Sequence, residues 1–156
     1  MLTDKVRTSM EASVLCWLAT ADANGQPNVS PKEVFRAFDD RHMVIANIAS
    51  PVSAKNIEAN PRVCVSLVDI LVQKGHKIMG SAINVRRHTE DYRKWVAPLL
   101  PIVGDRFPVR SVFVIQVERT VEIVAPSYLL FGESTSESSQ IEAAEATYGV
   151  RRLPGA

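Results

Sequence analysis

Apolar residues in this chain come mostly in short blocks, and polar turns divide the blocks. "VLCWLATA" (14–21) is apolar nearly throughout and has the length of a buried strand; "DANGQP" after it is turn chemistry. "NVSPKEVFRAF" (28–38) is also β-like. Pro31 predicts a break in it, because proline cannot donate to a ladder and is confined to edges and bulges. Further strands are expected at "HMVIANI" (42–48), "RVCVSLVDILV" (62–72) and "HKIMGSAINV" (76–85), with "DDR" and "QKG" as turns. "VRSVFVIQVERTVEIVA" (109–125) is one long strand or two in sequence.

Helical signals are fewer. Thr3 and Asp4 supply a cap and a first-turn acid for a helix ending near Ser13. Ser50 and Pro51 start a second helix over 51–59, with a cap and then proline at the first helical position. "TEDYRKWVAPLLPIV" (89–103) predicts a helix broken at Pro98 and Pro101. "ESTSESSQIEAAEATYGV" begins with a flexible linker, "STSESS" (134–139), and ends in a short helix stopped by Gly149. "RRLPGA" (151–156) reads as a loose tail. Six or so strands without βαβ alternation argue against a parallel nucleotide-binding sheet. The expected fold is mainly β (α+β): a closed or nearly closed antiparallel barrel with helices across its mouth.

Composition narrows the function classes. The 156 residues suit one domain, 1–156, and the formal net charge of +1 gives no global pull toward nucleic acid or anionic membrane. An anion site, if present, is therefore local. No apolar run approaches ~20 residues, so no membrane span is expected, and the polar N-terminus does not read as a signal peptide. Cys16 and Cys64 sit in apolar runs as free thiols, which fits a reducing cytoplasm. His42, His76 and His88 lack metal-ligand spacing, so no metal site is expected. Ser13, Ser30 and Ser66 lie in no nucleophile motif. Tyr92 and Trp95 share a helix face, as core, dimer contact or lid.

One helix start stands out. Asp4, Glu90 with Asp91, and Glu137 place acids at or near three predicted starts, whereas the first turn after Ser50 has none before Glu58. A helix N-terminus carries partial positive charge and free N–H groups. With Ser50, Ser53 and Lys55 beside it, this end can cradle an anion such as a phosphate. The simpler account is a capping Ser50 and a solvated Ser53. Lys32 and Arg36, four apart on a β-like segment, would face one side and could add charge, or form a solvent-facing pair.

The ordered series "ATADANGQPNVSPK", "MVIANIASPVSAKNIEANPRVCVSLVD" and "GHKIMGSAINV" resembles the pyridoxamine 5′-phosphate oxidase-like, FMN-binding split-barrel family, over about residues 14–125. It is most similar to the branch of small flavin-nucleotide-binding proteins. The resemblance implies an antiparallel split β-barrel with peripheral helices, and a homodimer with FMN at the subunit interface. It implies flavin or phosphate contacts from Ser30, Lys32 and Arg36, from Ala46 and Asn47, and from Ser50, Ser53, Lys55 and Asn56. Gly75, His76 and Lys77 would flank the ring. The family's Arg-Lys pair before the helix is here Val52 and Ser53, and the C-terminal segment of the vitamin B6 substrate site is not recognisable. The expectation is a cytoplasmic FMN oxidoreductase with an unassigned small-molecule substrate, not a true pyridoxamine phosphate oxidase. The alternatives are a non-catalytic flavin carrier or sensor, or a barrel that takes F420 or haem.

Overall fold

A computed structural model describes residues 1–104 and 107–153. It contains strands β1 (Cys16–Ala21), β2 (Pro27–Lys32), β3 (Phe35–Ala37), β4 (His42–Asn47), β5 (Arg62–Asp69), β6 (Lys74–Arg86) and β7 (Ser111–Val124). The helices are α1 (Asp4–Ala12), α2 (Pro51–Ala59), α3 (Tyr92–Val96), α4 (Leu100–Val103), α5 (Pro126–Leu130) and α6 (Glu137–Tyr148). A 3₁₀ turn (Ala97–Leu99) separates α3 from α4, so Pro98 and Pro101 break this helix as expected. The strands form one sheet in the order β2-β1-β5-β6-β7-β4-β3. Every pairing is antiparallel.

The main correction concerns residues 28–38. They are not one strand broken at Pro31. Pro31 lies inside β2, opposite Trp17, and the break falls at Glu33 and Val34. β2 is an edge strand, where a missing N–H costs no ladder bond. β3 lies at the other edge of the sheet. Two residues therefore join opposite edges, and three Cα steps reach at most about 11 Å. The sheet must curl into a split, half-closed barrel. Lys32 and Arg36 consequently do not share a face: Lys32 is buried and Arg36 is exposed.

Smaller differences follow local chemistry. Within 109–125 there is a single strand, Ser111–Val124, whereas 70–72 turn rather than extend β5. Backbone N–H groups of Leu71 and Val72 donate to the Asp69 carboxylate, which fixes that turn. α5 was not expected; it begins at Pro126, a residue suited to a first helical turn. Neither Thr3 nor Ser50 makes a side-chain cap bond, whereas Ser136 and Ser139 form a reciprocal capping box on α6. The acid-free first turn of α2 is shared by α3 and α5. Within the expected tail, Arg151–Leu153 have no helix or strand, and 154–156 lie outside the described residues.

Two apolar clusters divide the interior. The barrel core joins Leu18, Ile45, Leu67, Ile78, Phe113 and Ile115, with Val6 and Met10 of α1 plugging one side. Alternate residues Val44, Ala46, Val112 and Val114 point the other way, under Leu99 and Val103. β4 and the first part of β7, through Ile115, are thus buried on both faces, which explains why those runs are apolar without alternation. The β6–β7 register shifts at Met79/Gly80. A Cβ on Gly80 would collide with the carbonyl oxygen of Gln116. Gly80→Ala is therefore expected to lose about 2 kcal/mol or more of stability, a large single-site effect. Urea unfolding measures this, and an unchanged midpoint would contradict the tight bulge.

Candidate functional site

β2 alternates. Pro27, Val29 and Pro31 are exposed, while Asn28, Ser30 and Lys32 turn toward α2. On α2 the buried residues are Ser53, Asn56 and Ile57. Between the two elements runs a seam of polar side chains. The Lys32 ammonium donates to Ser30 Oγ at 2.8 Å and to Ser50 Oγ at 2.5 Å. The Ser30 and Ser53 hydroxyls share a hydrogen bond of 3.1 Å. Asn28 Nδ2 donates to Ser53 Oγ and to Thr20 Oγ1, and Asn56 Nδ2 also donates to Thr20 Oγ1. Asn47 holds the start of α2: its Oδ1 accepts from the Ser50 N–H, and its Nδ2 donates to Ser111 Oγ. The Ser50 hydroxyl, expected to cap the helix, instead accepts from Lys32.

Lys32 is the unusual member. It is 7% exposed, and no carboxylate forms an ion pair with it among the described residues. Burial pulls its ammonium below the ordinary 10.5, and only Cys16 acts in the other direction. Burial also pushes the Cys16 thiol up to about 12, so Cys16 is neutral at pH 7 and supplies no counter-charge. An ammonium has three donors, and two are spent on hydroxyls. Lys32 borders a cleft of about 340 Å³, walled mainly by Pro31, Val34, Ala46, Ile48 and Phe107, with the exposed Glu33 as its one acid. The arrangement suits a ligand with an apolar body and a negative group.

The other expected residues distribute unevenly. Ser30, Ser50, Ser53 and Asn56 join Lys32 in the seam, with Asn47 at its end and Ala46 in the cleft wall. Ser53 is 1% exposed, so it supports the seam from beneath rather than meeting solvent. Lys55 lies on the exposed side of α2, beside a second cleft. Arg36 stands apart on β3. Gly75 and His76 line a third cleft against α1, where His76 Nδ1 meets Ser9 Oγ at 2.8 Å; Lys77 beside them is exposed. Burial holds the His76 imidazole below its ordinary range. Thr20, Asn28 and Ser111 were missed by sequence reasoning. The polar alternation at 28, 30 and 32 was the available signal for Asn28. Among the described residues, no three His, Cys, Asp or Glu side chains converge, and no helix is long and apolar enough to cross a membrane.

The Lys32 charge makes a pH prediction. Its folded pKa is depressed, so between that value and about 10.5 the unfolded chain binds more protons, and stability rises with pH. Lys32→Met keeps an apolar stem and removes an uncompensated buried charge. The ligand-free variant is expected to be no less stable than wild type at pH 7, and the wild-type gain relative to it should grow toward pH 10. Denaturation midpoints at both values measure this. A loss of more than about 2 kcal/mol at pH 7 would mean that the ammonium is compensated within the fold.

Comparison with known proteins bears on this arrangement. HupZ of Group A Streptococcus has a TM-score of 0.68 at 25% identity, covering 80% of this chain and 96% of its own. An FMN-binding protein from Syntrophomonas wolfei subsp. wolfei has a TM-score of 0.64 at 16% identity, with 78% and 85% covered. HutZ, the heme storage protein from Vibrio cholerae, has a TM-score of 0.62 at 21% identity, with 79% and 94% covered. At such identities the last two show the fold alone. No curated protein matches the sequence. A family model described as Pyridoxamine 5′-phosphate oxidase matches residues 2–123, a span that runs from α1 through nearly all of β7 and contains the whole polar seam. The chain belongs to the pyridoxamine 5′-phosphate oxidase family.

Proposed function

We propose that this protein binds FMN and acts as a flavin oxidoreductase on a small acceptor. The observation that carries the reading is Lys32, an ammonium 7% exposed with hydroxyl partners only. A buried charge of this kind is costly until an anion offsets it. Lys32 and Ser50 would hold the phosphate, with Ser30, Ser53 and Asn56 fixing their positions. The wall of Pro31, Val34, Ala46 and Ile48 would carry the flat apolar ring. When bound, FMN supplies the capacity to accept and pass on electrons or hydride. The chain orients the ring, excludes water from one face and neutralises the phosphate.

The functional unit in this reading is a homodimer. His76 lies in the same ladder row as Lys32, three strands away, with Cys16 and Leu67 between them. Three strand spacings are about 14 Å. Cys16 and Leu67 are both fully buried, so no ligand passes between those positions through the barrel. Gly75, His76 and Lys77 can flank the flavin only from a second copy. Trp17, 47% exposed, and Val29, 57% exposed, lie on the outer face of the β1–β2 hairpin and give that copy an apolar surface to cover.

The test begins with the visible spectrum of the purified protein and an FMN titration. Flavin bands, or saturable binding at one FMN per chain, are expected. Lys32→Met should weaken FMN at least about tenfold, the size of one lost charge-assisted hydrogen bond. Equal affinity in the variant would remove the phosphate assignment. A colourless protein that ignores FMN but takes F420 or haem would replace the cofactor. FMN binding without turnover by any reductant would leave a carrier or sensor.

A further inference from the structure

Where β4 and β6 end and β7 begins, positive charge accumulates. Arg86 pairs with Ser111 across the β6–β7 ladder. Just beyond, the Arg87 N–H donates to the Arg110 carbonyl, and the Arg110 N–H donates to the Asn47 carbonyl. Lys55 reaches the same place from α2. These side chains, with His88, border a cleft of about 470 Å³ in which Glu58 is the sole acid. Glu58 is already engaged, accepting from Arg86 at 2.6 Å and from Asn84 at 2.9 Å. Lys55, Arg87 and Arg110 have no ion-pair partner among the described residues. Three unneutralised cations on a concave surface repel one another, in a chain whose net charge is only +1.

Asn84 Nδ2 donates to Glu58, and its Oδ1 is enclosed in the cleft wall without a hydrogen-bond partner, so it offers no contact to a ligand. The low net charge of the chain argues against an extended nucleic-acid footprint, which needs a long basic stripe. A compact ligand with two or more negative charges fits better. Two exposed arginine forks beside Lys55 favour phosphate oxygens.

We propose that this cleft binds the pyrophosphate of a dinucleotide, the electron donor to the flavin. The proposal rests on the FMN reading above. Asn47 and Pro51 line this cleft while Ala46 and Ser50 line the flavin cleft, so a single short segment separates the two ligands. The FMN phosphate is assigned to Lys32 and Ser50, which leaves the second group of cations for a second anion.

Calorimetric titrations with ADP-ribose, inorganic pyrophosphate and FMN, on wild type and on the Arg87→Gln/Arg110→Gln variant, test this. Both arginines are exposed, so the fold is expected to survive. ADP-ribose should bind more tightly than inorganic pyrophosphate, and both should weaken at least about tenfold in the variant and in high salt. FMN affinity should stay unchanged. Tighter binding of inorganic pyrophosphate would overturn the dinucleotide assignment. Absence of saturable binding, or equal binding to the variant, would overturn the site. If the variant loses FMN and pyrophosphate competes with it, the cleft holds the FMN phosphate, and the second site fails while the flavin reading stands. ADP-ribose binding by a protein that ignores FMN would keep the anion site and sink the flavin reading.

Discussion

Two residues, Glu33 and Val34, must carry the chain from one edge of a seven-stranded sheet to the other. That step is too short for a flat sheet, so the sheet curls until its edges nearly meet. The N–H of Ala46, on the strand beside β3, donates to the carbonyl of Val34 within the step and pins the closure. Closure decides what is inside: the faces of β1, β4, β5, β6 and β7 that turn inward share one core with α1. It also brings the end of β2 against the start of α2, so Lys32 meets Ser50 although 18 positions separate them.

The polar seam beneath α2 follows from that closure. Thr20, Asn28, Ser30, Ser53 and Asn56 hydrogen-bond one another between helix and sheet, with Thr20, Ser53 and Asn56 buried and Asn28 and Ser30 half-buried. Such a network is favourable only when its members are paired, and here they are. Lys32 is the exception, because its hydroxyl partners satisfy hydrogen bonds but not charge. The two proposed anion sites differ in kind for this reason. One is a desolvated lysine, where water has little access and screening is weak; the other is a wet group of arginines and one lysine, open to salt.

Much of the site was legible residue by residue, but its assembly was not. The helix at Pro51 and the free place at its N-terminus could be read from a cap residue, a proline and missing acids. Ser53 shows the limit of that reading. Helical spacing puts it near the N-terminus, yet the face it occupies is buried against β2, so its hydroxyl serves Asn28 and Ser30. The pairing of Lys32 with Arg36 failed for a related reason. A spacing of four implies a common face only within one strand, and the break after Lys32 moves Arg36 to the opposite edge.

By itself the sequence determined the strand-rich, antiparallel character of the protein, the places of most helices, and the family. These depend on local properties: apolar blocks of strand length, turn residues, prolines and short ordered motifs. Only the tertiary structure decided which edge each strand occupies, that Lys32 is buried without a counter-ion, and that Lys55, Arg87 and Arg110 converge. Sheet order and curl arise from non-local pairing, and burial of a charge depends on everything packed around it. Neither quantity is carried by any short stretch of chain.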